Sequence, residues 1–503
     1  MNSAPRLIFF GVDGASWHVI DKLLEKDELP TINKLLKKSA RGVLKSFEPM
    51  VSPVIWTTIG TGMLPEKHGV KDFVASSKHV RSKRIWEILD AEGLKIGVCG
   101  CHVTWPPKRV NGFIIPDSFA QGPETFPEEL SFIREMDIGE KEGSKKGLYG
   151  YFCFGIKALR YGVSIKNLLD ALLLVIKIKL SLVSYNENFF QKRKLALRIY
   201  TDVFFHRCKK EKVDACFFVS TLVDSTSHNF WKYFEPEKFE DHLTAAETKK
   251  HKDKVVEAYK EVDKSLAKMI KLGNNQTTVV IVSDHGFQSA MADLKSGDRL
   301  ININSSKIAE TLNLPDSVRT FNIRGRGYFR ERNDKQDVID SLNDQIRLIR
   351  IDGTTTQFFK TNKTDFYLEV SLDDSVASPE GVELRLPDGR TINSKELVSG
   401  TSEAVSGIHH LDGIYAFSGA NIKTGRVGDV EAADITPTLL YLLDFPVDRE
   451  MDGRVVTELV KEEFLGSRKI RFIDILEEGA VDSEDYGVAT EELKNRLREL
   501  GYL

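Results

Sequence analysis

The sequence lacks a strong excess of charge of either sign and has few cysteines. Its 503 residues carry a net charge of only −3 at pH 7. A balance so close to zero gives no electrostatic reason to expect nucleic acid or an anionic membrane as a partner. The five cysteines include no CxxC pair. This usage excludes a disulfide scaffold and is typical of reduced thiols buried in strands.

The N-terminus lacks the features of a secretory leader. MNSAPRLIFFGVDG passes straight into an apolar strand, without a long hydrophobic region or a cleavage site. Together with the cysteine usage, this predicts a cytoplasmic protein. A hydrophobic content of 41% and a charged content of 29% are typical of a globular chain with a large core.

A membrane-spanning run is also missing. The most apolar stretch, residues 167–185, is interrupted by Asp170, Lys177 and Lys179, and its longest apolar run ends at Ile176. That run is short of the ~20 residues that a spanning helix needs. We expect a helix that packs as a cap over the functional site. The alternative is a helix that contacts lipid at a membrane surface.

Acids and histidines lie beside strand-like apolar segments at four places in the chain. Three apolar runs are followed by aspartate, and two of these also by histidine, while two further histidines precede the strand-like GIYAFSG. The carboxyl ends of parallel strands are where open α/β sheets hold their ligands. The residues concerned are Asp13, Asp224, His228, Asp284, His285, His409 and His410.

Each cluster alone has an ordinary structural interpretation. Asp284 and His285, followed by Gly286, are plausible turn chemistry, and a lone histidine is more often a core or surface residue than a ligand. Four such clusters, separated by long stretches of chain, favour a shared site. Three aspartates and three histidines would serve two divalent metals, zinc first and manganese second.

Ser52 is the candidate nucleophile. It precedes Pro53 and a probable helix, and proline is a good first-turn residue, so Ser52 is predicted at a helix N-terminus. Unpaired N–H groups and the helix dipole favour an anion or alkoxide there. An ordinary N-cap is the alternative. Taken together with the metal ligands, Ser52 is predicted to attack the substrate.

These segments resemble a known family, the alkaline phosphatase superfamily, and within it the type I phosphodiesterase/nucleotide pyrophosphatase branch, especially its predicted prokaryotic phosphohydrolases. The similarity rests on short blocks that recur in order along nearly the whole chain. The blocks are GVDG at 11–14, SPVIWTTIGTGMLPEKHG at 52–69, VTWPP at 103–107, NGFIIPDSFA at 111–120, DSTSHNFW at 224–231, VSDHGF at 282–287, GIHHLDGI at 407–414 and DITPTLLYLLDFPVDREMDGRVV at 434–456.

The resemblance implies an α/β fold, an alkaline-phosphatase-like three-layer sandwich with a mostly parallel central sheet and two inserted cap regions. It also implies two metal sites. The family pattern puts one ligand directly after Gly-x, here Gly407-Ile408, which selects His409 over His410. One implied ligand set is Asp224, His228 and His409; the other is Asp13, Asp284, His285 and the oxygen of Ser52.

The implied chemistry is hydrolysis of a small phosphate ester. Ser52 would attack phosphorus, form a covalent phosphoseryl enzyme and be released by a metal-bound water. A phosphodiesterase or nucleotide pyrophosphatase is the first interpretation, and a phosphomonoesterase or phosphonate hydrolase with the same metals is the alternative. A catalytically silent binding protein is a third, against which the intact ligand set argues.

Two departures from the family patterns matter. Nucleotide pyrophosphatases usually carry a threonine nucleophile and, three residues later, an asparagine that holds the phosphoryl oxygen. Here Ser52 is followed by Val54, Ile55 and Trp56, so no such donor is identified. The Ser/Cys-x-Pro-x-Arg signature of sulfatases is absent because Pro53 directly follows Ser52, which argues against a sulfatase.

The organisation of the chain predicts one catalytic core interrupted by two insertions. The core segments hold every proposed ligand. The predicted parts are a core of 1–120, 200–292 and 400–465, a helical cap insertion of 121–199, a mixed α/β cap insertion of 293–399 and a tail of 466–503.

The second insertion contains the arginine-rich strand pattern RTFNIRGRGYFRER. A solvated strand face is the usual interpretation of alternating arginines. The alternative is that one or two of them hold a second phosphate or a carboxylate of the substrate in a bidentate fork. The arginines are Arg319, Arg324, Arg326, Arg330 and Arg332.

Overall fold

The structure is a computed structural model, which describes residues 4–134, 155–239, 243–291, 301–323, 325–331, 335–364, 367–376, 378–400, 406–474 and Leu493. The chain divides into two units. The first comprises Met1–Thr226, Lys252–Phe287 and His410–Val481, and the second comprises Ser227–His251, Gln288–His409 and Asp482–Leu503. The division into a core, two insertions and a tail stays a prediction.

A mostly parallel sheet forms the centre of the first unit. Leu7–Val12 has all six residues buried and lies between the parallel strands Ala215–Ser220 and Thr278–Val282. Its continuous apolar run is what a strand covered on both faces requires. This confirms the predicted α/β fold. Across the sheet the strands are Gly425–Arg426, Ser39–Lys45, Asp412–Ser418, Thr278–Val282, Leu7–Val12, Ala215–Ser220, Ile96–Cys99 and Gly112–Ile115, and Val430–Glu431 also pairs with Ser39–Lys45.

Helices cover both faces of this sheet, because successive side chains of a strand point to opposite sides. On one face, the rings of Phe9 and Trp56 lie 6.4 Å apart. On the other, Phe218 and Phe204 lie 5.3 Å apart. The helices of the first unit are Trp17–Leu24, Pro30–Leu36, Ser52–Thr61, Pro65–His68, Ile85–Ala91, Ile165–Lys179, Tyr185–Glu211, Lys254–Ile270, Ile435–Leu442 and Glu462–Ser467, and Leu222–Phe234 begins there.

The helix that starts at Ser52, called the Ser52 helix (Ser52–Thr61), is buried along its whole length. Val51 occupies the N-cap position, and Pro53 lies in the first turn, where its missing N–H costs no hydrogen bond. Gly62 ends the helix with φ 72°, a left-handed conformation that glycine adopts without strain. Ser52 is therefore the first helical residue, one place beyond the N-cap.

A buried histidine fixes the far end of the Ser52 helix. The N–H of Val70 donates to His68 Nδ1 at 3.1 Å. The hydrogen of His68 therefore lies on Nε2, which donates to Thr58 Oγ1 at 3.0 Å. Burial lowers the pKa of His68 to about 3. The imidazole is neutral at ordinary pH, and it anchors the helix that presents Ser52.

The predicted helical character of residues 121–199 appears in two long helices. The helix Ile165–Lys179, called the apolar helix, packs against Tyr185–Glu211. Its first turn is anchored where Asn167 Nδ2 donates to Asp202 Oδ2 at 2.8 Å. Of the helices in the described part of the chain, none combines the length and hydropathy needed to cross a bilayer. The role of the apolar helix as a cap stays a prediction.

The second unit has its own core, built from an antiparallel sheet and a helix. Leu342 of the helix Gln336–Arg347 belongs to one apolar cluster with Phe329 and Phe359 of the sheet. The strands run in the order Phe359–Lys363, Leu368–Leu372, Arg326–Glu331 and Val318–Ile323. Further elements are Ala245–His251, Ile301–Ile303, Ser305–Thr311, Arg350–Ile351, Glu383–Arg385, Thr391–Asn393, Val398–Gly400 and Gly407–His410.

The arginine-rich strand is partly engaged within its own unit. Arg326 Nη1 lies 2.8 Å from Glu369 Oε1 on the neighbouring strand, and Arg330 is buried. The ion pair gives Arg326 a structural contact, whereas the burial of Arg330 means that this arginine does not lie on a solvated face. Arg324 and Arg332 lie outside the described residues.

Candidate metal centre

Three predicted aspartates meet at the carboxyl edge of the central sheet. Asp13 directly follows Leu7–Val12, and the register of the parallel strands brings Asp224 and Asp284 beside it. The main chain fixes two of them, since Asp13 N donates to Ser220 O at 3.0 Å and Asp224 N donates to Asp13 O at 3.1 Å. All three side chains are buried.

His285 lies among these carboxylates. Asp13, Asp224 and His285 each offer a ligand atom within 4.8 Å of the other two. His285 Nε2 is 3.4 Å from Asp13 Oδ1 and also 3.4 Å from Asp284 Oδ2. His285 Nδ1 lies 3.1 Å from Gly286 O, and because a carbonyl oxygen only accepts, Nδ1 carries the hydrogen. Nε2 therefore carries the lone pair, the atom through which an imidazole binds a metal.

Ser52 joins the same cluster. Its Oγ is 3.3 Å from His285 Nε2 in a buried environment. The hydroxyl thus points at the aspartate and histidine cluster and does not cap the backbone of its own helix, whose N-cap position is taken by Val51. This geometry favours the nucleophile interpretation of Ser52 over the N-cap alternative.

Carboxylate oxygens of the cluster are buried without a hydrogen-bond donor among the described residues. Asp13 Oδ1 and Asp284 Oδ2 are buried and accept no hydrogen bond. Burial and the negative charges of Asp13 and Asp224 raise the pKa of Asp284 well above its usual range. Buried acceptors without donors and crowded carboxylates are the arrangement that a divalent cation would relieve. Oxygen and imidazole donors suit zinc or manganese.

The turn after the first strand depends on close backbone packing. Gly14 has φ 73°, and a Cβ at this position would lie 2.6 Å from the ring of Phe287. Ser283 Oγ accepts from Ala15 N at 2.8 Å and donates to His285 O at 2.7 Å. The glycine and the serine hydroxyl together hold the Asp13 turn against the Asp284 turn.

The other two predicted histidines come together in the second unit. His228 Nε2 and His409 Nε2 are 3.0 Å apart, and both residues are buried. His228 Nδ1 lies 3.0 Å from Gly407 O, so Nδ1 carries the hydrogen and Nε2 carries the lone pair. Asp224 lies one turn before His228 on the helix Leu222–Phe234, which matches the predicted i, i+4 spacing.

His410 makes a different contact. Its Nδ1 accepts a hydrogen bond from Asp412 N at 3.1 Å, within the turn that leads to the strand Asp412–Ser418. This nitrogen is used locally, whereas His409 faces another imidazole. The arrangement favours His409 as the ligand.

Comparison with known proteins decides the family. The family model described as type I phosphodiesterase / nucleotide pyrophosphatase matches residues 7–380. The chain belongs to this family. No curated protein matched the chain.

Membership in the type I phosphodiesterase/nucleotide pyrophosphatase family confirms the predicted alkaline phosphatase superfamily. It makes the chain a phosphoric ester hydrolase by family, with a small phosphate ester as a fitting substrate. The matched residues include all of the predicted ligands except His409, which follows the matched region.

The sequence analysis missed one residue that contacts this cluster, His102. Its Nε2 donates to Asp13 Oδ2 at 3.1 Å, and its ring stacks on Trp56 at 6.2 Å. Burial alone would lower the pKa of His102, but the hydrogen bond to Asp13 and the charge of Asp117 raise it. The signal was present, since His102 follows the end of the strand Ile96–Cys99 just as the other polar residues follow theirs.

The two carboxylate oxygens of Asp13 therefore differ in their hydrogen bonds. Oδ2 accepts from His102 and from Trp56 Nε1, the latter at 3.3 Å. Oδ1 accepts no hydrogen bond and faces His285. Such support by neighbouring donors orients a carboxylate that binds a metal.

Proposed function

We propose that the protein is a two-metal phosphodiesterase, similar in reaction to nucleotide pyrophosphatases, that acts through a covalent phosphoseryl intermediate on Ser52. The observation that carries the proposal is the position of Ser52 Oγ, 3.3 Å from His285 Nε2 and at the N-terminus of a buried helix. A phosphoryl group there meets the positive end of the dipole of the Ser52 helix.

The proposed ligand sets are those that the resemblance to the family implies. Asp13, Asp284, His285 and the Ser52 oxygen would hold one cation, and Asp224, His228 and His409 would hold the other. Asp224 also lies close enough to Asp13 and His285 to belong to the first group. Bound zinc or manganese would lower the pKa of the Ser52 hydroxyl and neutralise charge on the phosphoryl oxygens.

The residues of the chain would then act in sequence. Ser52 Oγ forms a bond to phosphorus while the bond from phosphorus to the leaving alcohol breaks. Water next attacks the phosphoseryl group, restores the serine hydroxyl and releases a phosphate monoester. The rigid sheet edge supplies position throughout, since Asp13 and Asp224 are fixed by their backbones and Asp13 also by His102.

The reaction class is tested with a pair of substrates. We expect the zinc- or manganese-loaded protein to hydrolyse bis-p-nitrophenyl phosphate with a larger kcat/KM than p-nitrophenyl phosphate. The reason is that the family whose model matches the chain is described as one of phosphodiesterases and nucleotide pyrophosphatases. A preference for the monoester would favour the phosphomonoesterase alternative. Loaded protein that hydrolyses neither would favour the binding-protein alternative.

His102 provides a second test, because it acts on Asp13 and not on substrate. We expect His102→Phe, which keeps a ring beside Trp56 but removes the donor, to weaken metal binding by about 10–100-fold. Activity should return at high metal concentration. Metal affinity is measured by calorimetric titration of the metal-free protein.

A matched control for this test is His68→Gln, a change at another buried histidine of the same unit. It should lower thermal stability by loosening the Ser52 helix from Thr58 and leave metal affinity within about twofold. Equal metal affinity in His102→Phe and the wild type would show that His102 does not position Asp13.

A further inference from the structure

The surface formed by residues 155–185 is unusually apolar. Of the fifteen large hydrophobic side chains that are exposed in the described chain, ten lie between Ile156 and Tyr185. Six of them, on the apolar helix and its C-cap, expose between 42% and 67% of their area. Scattered exposed leucines are normal, but a contiguous apolar patch marks a binding surface. The ten residues are Ile156, Leu159, Ile165, Leu169, Leu172, Leu173, Ile176, Leu180, Leu182 and Tyr185.

The exposed side chains of the apolar helix share one face. At about 100° per residue, the six side chains from Ile165 to Leu180 fall within an arc of about 100°. The opposite face packs on the helix Tyr185–Glu211 and holds the buried Asn167. The apolar helix therefore has two apolar faces, and the described part of the chain covers only one of them.

Lysines border the exposed face on both sides. By the same helical spacing, Lys179 lies just beyond one edge of the arc, and Lys166 and Lys177 lie just beyond the other. All three are exposed. Apolar side chains bordered by lysines are the pattern of helices that lie in the plane of a membrane interface.

Basic side chains outnumber acidic ones on this surface. Residues 155–185 contain five basic side chains and a single acid, Asp170. Asp170 Oδ2 lies 3.2 Å from Arg198 Nη1, so its charge is paired within the fold. The near-zero net charge of the whole chain therefore hides a local basic patch. The basic residues are Lys157, Arg160, Lys166, Lys177 and Lys179.

The chemistry favours lipid over a protein partner. Protein interfaces are enriched in aromatic residues and arginine and are depleted of lysine. Nine of the ten exposed side chains here are leucine or isoleucine, and the border is lysine. Long lysine side chains can also keep their charge at the lipid headgroups while their methylenes lie against acyl chains.

We infer that residues 155–185 bind the surface of an anionic lipid bilayer, with the apolar helix lying parallel to the membrane plane. The leucines and isoleucines enter the headgroup and acyl boundary, and the lysines pair with anionic headgroups. This binding is independent of the metal centre, because it uses none of the residues proposed there.

Flotation of the full chain with lipid vesicles tests the inference. One set of vesicles is phosphatidylcholine alone, and the other contains phosphatidylglycerol at about three lipids in ten. We expect binding to the anionic vesicles only, and weaker binding as salt rises, because screening shortens the reach of the lysine charges. Absence of binding, or equal binding to both sets of vesicles, would overturn the inference.

Substitutions separate the two contributions. Leu172→Glu with Leu173→Glu should weaken binding to anionic vesicles by more than about tenfold, since each leucine loses its buried area and gains a repelled charge. Lys166→Gln with Lys177→Gln should weaken it by about fivefold for each charge lost. The matched control is Leu348→Glu, at a leucine that is 51% exposed in the second unit, and it should bind as the wild type does.

Analytical sedimentation of the protein without lipid tests whether a second copy of the chain, and not lipid, covers this face. The inference predicts the same oligomeric state for the wild type and the Leu172→Glu, Leu173→Glu variant. A wild-type dimer that this variant converts to a monomer, with no vesicle binding by either, would make the surface an interface between copies and overturn lipid binding. Hydrolysis of bis-p-nitrophenyl phosphate by the variant should be unchanged, which verifies that it folds.

Discussion

Ser52→Ala should reduce kcat for a diester by about a thousandfold or more, because it removes the oxygen that bonds to phosphorus. The variant should still fold, since the side chain loses a single hydroxyl at a helix start where alanine is tolerated. It should also still bind metal through the aspartates and histidines. The measurement is the rate of p-nitrophenol release from bis-p-nitrophenyl phosphate at saturating zinc or manganese.

Ser52→Thr is the matched control for this loss. Threonine keeps the hydroxyl and is the usual nucleophile of nucleotide pyrophosphatases, so activity should remain well above that of the alanine variant. Acid quenching of the wild type during turnover of bis-p-nitrophenyl phosphate should trap a p-nitrophenyl phosphoryl group on the peptide that contains Ser52. Alanine-variant activity within tenfold of wild type would assign the attacking oxygen to another group.

Asp284→Asn should abolish the stabilisation of the folded protein by added metal. The same change should raise the stability of the metal-free protein. Burial and the charges of Asp13 and Asp224 raise the pKa of Asp284, so its ionised form is unfavourable in the folded state. Asparagine has nearly the same shape, and its oxygen can still accept from Gly14 N, the donor to Asp284 Oδ1. Thermal unfolding with a chelator and with added zinc or manganese measures both effects.

The sign of the pH dependence follows from this raised pKa. The unfolded carboxyl loses its proton near its ordinary pKa of 3.8, whereas the folded one retains the proton to higher pH. The folded state binds more protons in that window, so the metal-free wild type should lose stability as pH rises above about 4. Asp284→Asn should remove this part of the slope.

For the metal response, we expect about 2.7 kcal/mol of stabilisation of the wild type at a free metal concentration of a hundred times Kd, and none in Asp284→Asn. Asp263→Asn is the matched control. Asp263 is equally buried in the first unit but accepts hydrogen bonds from Thr31 N and Ile32 N, so it is satisfied without a cation. Its replacement should lower stability and leave the metal response intact. A metal response retained in Asp284→Asn would remove Asp284 from the ligand set.

Local patterns in the sequence predicted much of this arrangement. Leu7–Val12 and Thr278–Val282 are continuous apolar runs, and such runs indicate buried parallel strands whose ends share one edge. The residues that follow them, Asp13 and Asp284, were therefore predictable neighbours. The orientation of Ser52 was not, because Ser-Pro is compatible with both an N-cap and a first helical residue. Only the contact with His285 distinguishes them.

Two features depend on tertiary structure that no local pattern encodes. His102 follows a strand like the other polar residues, but no acid accompanies it in sequence, and its partner Asp13 lies at the far N-terminal end of the chain. The apolar helix is hydrophobic on more than one face, so its periodicity does not say which face the fold covers. That choice is made by packing on the helix Tyr185–Glu211.

Two of the proposed ligand histidines share a hydrogen bond that affects how the site tolerates mutation. His285 and His228 each give their Nδ1 hydrogen to the main-chain oxygen of a glycine, Gly286 and Gly407. Every residue type has a main-chain carbonyl, so no single amino-acid substitution removes this acceptor. A Cβ at either glycine would instead lie within 2.4 Å of a backbone oxygen. Substitutions of the surrounding side chains would therefore leave the hydrogens of His285 and His228 on Nδ1. Substitutions of Gly286 or Gly407 are the changes that would disturb this arrangement.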